Sequence, residues 1–259
     1  MLGIYDCFGY DVPFENRYQL IKAAGFDSVM LWWSDRFGRG EGYQKDVQYA
    51  RDAGLFVENI HAPVHEQDFL SMNNQDGESV FQSYLQCVKD CFDYAVSTVV
   101  IHLPSDNYPI NALGSERIKI IIRNAEESQV KVAFENLRNI RNLDFVLRSV
   151  SSENAGFCYD SCHHTNYAPD IDLLERYGNR LTALHLHDNG GRRGQHQLPF
   201  DGSIDWEAVV KKIAQTGYKG TTALEPMNWD YENLSIREFL SRAYQTVRKL
   251  DSIRRGESL

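Results

Sequence analysis

No stretch of this 259-residue chain approaches the roughly 18 consecutive apolar residues that a membrane span needs, so no transmembrane helix is predicted. No signal peptide is expected either. Met1-Leu2-Gly3-Ile4-Tyr5-Asp6 has neither the basic region nor the apolar run of a signal peptide, and a cytoplasmic location is the expectation. Cysteines number only five, an odd count without secretory context. Cys87 and Cys91 fit one helix face and Cys158 sits in a buried strand, which reads as reduced structural thiols rather than a disulfide framework. Positive charge is short as well: Lys and Arg total 27 against 36 Asp and Glu, a formal net charge of −9. That balance weighs against a broad nucleic-acid or anionic-membrane surface, so neither is an expected partner. No Pro/Ser-rich linker and no break in composition divides the chain, which is expected to form one domain over residues 1–259.

What is present is alternation. Short apolar, β-branched runs are predicted as strands at Leu2–Tyr5, Ser28–Trp32, Phe56–Ile60, Thr98–Ile101, Lys131–Phe134, Ala155–Tyr159, Leu181–Leu186 and Gly220–Leu224. Several lack polar alternation, as strands covered on both faces do. Between them, 3.6-residue periodicity predicts helices over Asn16–Ala24, Tyr43–Ala53, Ser79–Ala95, Ser115–Ser128, Asn139–Ser149, Ile171–Tyr177, Asp205–Thr216 and Ser235–Ile253. Gly25, Gly54 and Gly217 follow three of them, where a left-handed turn ends a helix, and Asp205 is placed to cap another. Eight strands alternating with eight helices predict a single (β/α)8 barrel. An open doubly wound sheet is the alternative, but no Gly-rich loop follows the first strand as a dinucleotide fold would require.

A histidine or carboxylate closes six successive strand-like runs: His61, His102, Glu135, Asp160, His185 and Glu225. In a (β/α)8 barrel all six reach the C-terminal mouth, where active sites of this fold lie. Each alone has an ordinary explanation, since a strand-end imidazole is commonly a hydrogen-bonded core or rim residue. Together they would repel or desolvate one another unless a cation neutralised them. Their types are those that bind divalent metals and move protons. The imidazoles lean toward zinc or manganese over magnesium, with one or two ions. Pro63 and Pro104 lie two residues beyond His61 and His102. Asn136 follows Glu135 as a neighbour to the site or a substrate donor, and alternation puts His187 on the strand face of His185. Trp32 and Trp33, in the run that ends with Asp35 and Arg36, suit stacking on a sugar face or packing at the rim. Gly190-Gly191-Arg192-Arg193-Gly194 suits a phosphate cradle or a solvated loop.

Asp160-Ser161-Cys162-His163, His185-Leu186-His187-Asp188 and the strand ending in Glu225 make the chain resemble the xylose isomerase-like TIM-barrel superfamily over essentially its whole length. That superfamily holds sugar and sugar-phosphate isomerases and epimerases together with endonuclease IV-type AP endonucleases. The segment from His196 to Trp206 is similar to the stretch that precedes the last helical unit there. The resemblance implies a metal shell of Glu135, Asp160, His185 and Glu225. It also implies that His163, and Arg193 or its neighbour Arg192, contact substrate oxygens. His61, His102 and His196 match additional ligands of the three-zinc endonuclease branch. Gly194 departs from that branch, where an aspartate stands, and the loop after the second strand lacks its basic, amide-rich DNA-entering segment.

These residues support a metal-dependent aldose–ketose isomerase or ketose epimerase acting on a sugar or sugar phosphate. A divalent ion would stabilise an enediolate, Glu135 and Glu225 would serve as acid and base, and His163, Arg193, Trp32 and His187 would line the substrate. The alternatives are a zinc phosphodiesterase acting on abasic DNA and a metal-binding barrel without turnover. Homo-oligomers are common in the superfamily, so the resemblance implies a homo-oligomer.

Overall fold

The computed structural model describes residues 1–35, 42–64, 66–105, 107–138 and 140–257. Arg36 and Asn139 lie outside them. Eight parallel strands run in the order β7-β6-β5-β4-β3-β2-β1-β8. They are β1 (Leu2–Tyr5), β2 (Ser28–Trp32), β3 (Phe56–His61), β4 (Thr98–Ile101), β5 (Lys131–Glu135), β6 (Ala155–Asp160), β7 (Leu181–His185) and β8 (Thr222–Leu224). The sheet closes where Leu186 N–H donates to Ala223 O (3.1 Å) and Glu225 N–H donates to Leu186 O (3.0 Å). The closure gives the (β/α)8 barrel and rules out the open doubly wound sheet.

The helices are α1 (Phe14–Ala24), α2 (Asp46–Asp52), α3 (Gln75–Asp93), α4 (Ala112–Glu127), α5 (Ile140–Ser149), α6 (Ser161–Tyr167), α7 (Leu173–Tyr177), α8 (Trp206–Gln215) and α9 (Ile236–Arg255). Bounds differ from expectation by a few residues, and the segment from Tyr43 begins as a 3₁₀ turn. Gly25, Gly54 and Gly217 have φ of +110°, +78° and +78°, as the helix-ending turns require. Asp205 caps α8, accepting from Ala208 N at 3.0 Å. The unforeseen helix is α6. Ser161-Cys162-His163-His164-Thr165-Asn166-Tyr167 has no apolar periodicity and weak helix propensity. It forms because Asp160 caps it, accepting from His163 N at 2.7 Å.

Outward-facing strand residues such as Val29, Leu31, Val99, Ile101, Phe134, Phe157 and Leu184 form the main core with the helices. Inward-facing residues form two smaller clusters: Tyr5, Met30, Trp32 and Ala223, and Val100, Ala133, Cys158 and Ala183. Alternation separates the two tryptophans. Trp33 faces outward, is 1% exposed and donates from Nε1 to Asp90 Oδ2 at 2.7 Å. It is therefore a core residue and not a sugar platform. Among the described residues no helix is long and apolar enough to cross a membrane.

One buried carboxyl belongs to the barrel wall rather than its mouth. Pairing between β2 and β3 steps from Val29–Val57 to Met30–Asn59, so Glu58 is the extra residue of a β-bulge. Tyr218 OH donates to its Oε1 at 3.4 Å. Burial lifts the Glu58 carboxyl to about 7, against the smaller opposing effects of His185, Thr221 and Tyr218. Its folded value exceeds the unfolded one, so its contribution to stability is full below about pH 4.5 and is lost as pH rises toward 7. Glu58→Gln keeps the shape and cannot ionise. It should be more stable than the parent above pH 7 by up to ~3 kcal/mol, with the gap closing toward pH 4.5. Urea midpoints of both proteins at pH 5 and pH 8 check this, and a gap independent of pH would contradict it.

Candidate metal centre

The ends of β3 to β8 bring the expected residues together at the barrel mouth. Glu135, at the end of β5 and 2% exposed, is the hub. Its Oε2 lies 3.0 Å from His185 Nδ1, 3.1 Å from His102 Nε2 and 3.4 Å from His61 Nε2. Its Oε1 lies 3.0 Å from His163 Nδ1. Asp160, fully buried, meets His187 Nε2 at 2.9 Å and His163 Nδ1 at 3.3 Å. Glu225 Oε2 stands 3.6 Å from both His185 Nδ1 and His187 Nε2. Asn136 holds the ends of β5 and β6 in register. Its Nδ2 donates to Asp160 O and its Oδ1 accepts from Asp160 N, both at 2.8 Å.

Burial and charge separate these groups. Burial disfavours ionisation of Glu135, yet His102 and His185, with hydrogen bonds from His102 and His163, hold its carboxyl well below the usual range. Asp160 is likewise lowered against its burial, by His163 and His187. Glu225 moves the other way: burial raises it, and the charges of Glu135 and Asp160 add to the rise despite His185 and His187. Burial lowers His102, outweighing the pull of Glu135. His185 and His187 are raised despite burial, His185 by Cys158, Glu225 and Glu135 and His187 chiefly by Asp160. His196 is depressed to about 3 by burial and then by His187.

A divalent ion fits this donor set. His185 Nδ1 is buried without a hydrogen-bond partner although Glu135 Oε2 is 3.0 Å away. The two atoms sit side by side, as ligands of one ion do, without hydrogen-bond angles. His61, His102 and Glu135 make one compact ligand group, and Glu135, Asp160 and His163 another. His61, His185 and Glu225 make a third, with donor atoms all within 4.8 Å of one another. His187, His196 and Glu225 are equally close. The His187 and His196 rings, however, stack in parallel, with centroids 4.0 Å apart and planes at 4°. In-plane lone pairs of two parallel rings cannot address one ion. His196 has φ of +50° and its Nδ1 is 3.0 Å from Glu225 O, so the imidazole is fixed as a wall of the site. Among the described residues no ligand group joins His163 to His196.

Other expected substrate residues divide. His163 is partly open, with 24% of its side chain exposed. Trp32 is only 4% exposed, with its ring 5.6 Å from His61, and backs the candidate ligands. His187 is fully buried against Asp160. Arg193 is exposed, with its guanidinium 5.2 Å from the Tyr167 ring centre. The sequence reading passed over Trp229, which is 51% exposed and edge-on to His196 at 5.6 Å. It also passed over Arg138 and Tyr167. All three lie on segments that follow strand ends, the same signal that singled out the candidate ligands.

Asp188 organises the long loop after β7. Its Oδ1 accepts from Asn189 N (2.8 Å) and Ile204 N (3.1 Å), and its Oδ2 accepts from Phe200 N (3.0 Å) and Trp206 Nε1 (2.6 Å). A Cβ on Gly202 would come within 2.3 Å of Asp188 Oδ1, so the turn needs glycine there. Asp188→Ala strands four donors in a buried site and should cost roughly 3–5 kcal/mol, read from urea unfolding. A change below 1 kcal/mol would contradict this role.

A closed barrel with histidines and carboxylates converging at its strand ends defines a TIM-barrel protein with a candidate metal centre. A sequence model of the xylose isomerase-like TIM barrel matches residues 18–246, and the chain belongs to that family. It is 30% identical to the uncharacterized protein y4fM of Sinorhizobium fredii, over 94% of this chain and 90% of that one. It is 21% identical to the fructoselysine 3-epimerase of Escherichia coli O157:H7, over 93% and 96% of the two chains. Among solved structures, a D-tagatose 3-epimerase-like protein aligns with a TM-score of 0.79 at 19% identity, covering 98% of each chain. The IOLI protein, solved with a zinc atom bound, aligns with a TM-score of 0.78 at 16% identity, over 100% of this chain and 99% of that one.

Proposed function

We propose that this chain is a divalent-metal-dependent isomerase or epimerase of a small sugar or sugar derivative, with the whole barrel acting as one domain. The observation that carries the reading is the pair Glu135 and Glu225. Both face His185 Nδ1, and their carboxyls are shifted in opposite directions. Two carboxylates whose environments push them apart are what an acid–base pair needs.

Glu135, Asp160, His185 and Glu225 would hold the ion, and His61 and His102 would offer Glu135 a second one. Imidazole-rich donors favour zinc or manganese. When bound, the ion supplies Lewis acidity to the oxygens beside the carbon that loses its proton. Glu135, kept ionised by its imidazoles, takes that proton. Its Oε1, on the side of the partly open His163, is the oxygen suited to the task. Glu225, on the other side of His185, would give a proton of its own to the neighbouring carbon or to the opposite face, and both carboxyls would then reset by proton exchange with solvent. His163 donates to a substrate oxygen and Arg193 closes the rim.

The test is a panel of ketoses, aldoses and their phosphates, assayed with manganese or zinc and with a chelator control. Expected is metal-dependent interconversion of at least one pair, with deuterium from the solvent entering the product. No conversion by metal-loaded protein, together with nicking of an abasic-site duplex, would overturn the reading.

A further inference from the structure

Beside the metal centre the mouth carries a concentration of positive charge that the proton-transfer chemistry does not use. Arg138, on the segment after β5, and Arg193, on the loop after β7, place their guanidiniums 5.5 Å and 5.2 Å from the centre of one ring, Tyr167. That ring lies 6.0 Å from His163, which touches Glu135. Among the described residues no carboxylate pairs with Arg138 or Arg193, although the chain carries an excess of nine negative charges. Neighbouring arginines are spoken for: Arg192 pairs with Asp230 at 3.1 Å and Arg176 approaches Asp144 at 3.8 Å.

The loop that carries Arg193 is exposed but braced. Gln195, 9% exposed, accepts from Gly190 N at 2.8 Å and from Arg192 N at 3.0 Å, and its Nε2 reaches Asp230 Oδ2 at 3.1 Å. Gly191 and Gly194, with φ of +102° and +67°, supply the turns on either side of Arg193. A cleft of ≈ 460 Å³ on the Arg138 side of Tyr167 is lined by Arg138, Arg141, Tyr167 and Arg176, and Arg193 lies outside its lining. Asp144 is the acidic group of its lining, and it already accepts from Tyr177 OH at 2.7 Å and from Arg148 Nε at 2.9 Å.

We propose that Arg138 and Arg193 form an oxyanion clamp, and that the substrate is an anionic sugar whose terminal phosphate or carboxylate seats there while its carbonyl end reaches the metal centre. The inference rests on the isomerase or epimerase reading and specifies its substrate class. Guanidinium forks recognise both groups bidentately, and Tyr167 keeps the two planes poised without neutralising them.

The test is a matched set for metal-loaded protein: a ketose, its terminal phosphate ester and the corresponding acid. The phosphate and acid arms distinguish the two sources of negative charge. One anionic member should exceed the neutral ketose in kcat/KM by at least roughly 10-fold. In Arg138→Ala/Arg193→Ala that preference should fall by roughly 10- to 100-fold. Arg193→Lys, which keeps the charge and loses the fork, should restore part of it. Equal kcat/KM for neutral and anionic members, with the ratio unmoved in the double variant, would overturn the clamp while leaving the proposed function intact. A calorimetric titration with inorganic phosphate decides the matter if no sugar is turned over. Binding that disappears in the double variant upholds the clamp while the isomerase reading falls, and identical binding in both proteins overturns the clamp.

Discussion

Glu135→Gln is expected to lower kcat/KM by about three orders of magnitude at saturating metal. Glutamine is isosteric with the carboxylate but cannot accept a proton, and general base catalysis contributes roughly 10²- to 10⁴-fold. The same substitution strips charge from the hub that faces His61, His102, His163 and His185, so metal affinity should drop as well. The two effects separate when the metal is titrated to saturation. A deficit in kcat that persists there belongs to the lost base, and solvent deuterium should then no longer enter the product. Turnover equal to the parent would remove Glu135 from the acid–base pair.

Metal loading should stabilise the fold by an amount that mass action sets. At a free ion concentration 100 times Kd the gain is about 2.7 kcal/mol, which for a chain of this size raises Tm by roughly 5–10 °C. Asp160→Asn isolates the part due to ligand charge. Asparagine can still cap α6, where Asp160 accepts from His163 N. It no longer offers a charged ligand between His163 and His187. The variant should fold, and most of the metal-induced rise in Tm should vanish. A full rise in Asp160→Asn would place the ion elsewhere.

The barrel and the gathering of candidate ligands at its mouth were legible because both rest on local pattern. Strands buried on two faces read as short apolar runs, and a residue closing such a run arrives at the mouth whatever the helices do between. His61, His102, Glu135, Asp160, His185 and Glu225 all followed that rule. Alternation carried further than it was applied: neighbours in a strand face opposite ways, so Trp32 behind the ligands and Trp33 in the core were already distinguishable. Features set by tertiary context were not legible. α6 exists through one cap rather than through periodicity. The bulge that buries Glu58 is a register shift between β2 and β3. Stacking of His187 on His196 depends on the path of a loop tied to Asp188 from four directions. The convergence of Arg138 and Arg193 on Tyr167 joins three segments far apart in sequence, and no spacing rule links them.

Metal content of protein purified without chelators or a metal affinity step, read by elemental mass spectrometry, tests the central claim most directly. The account predicts one equivalent of an exchangeable divalent ion, zinc or manganese, or two if His61 and His102 are filled, with the main equivalent lost in Asp160→Asn. Protein that carries no metal and takes up none on titration would contradict it, leaving the barrel without the chemistry assigned to its mouth.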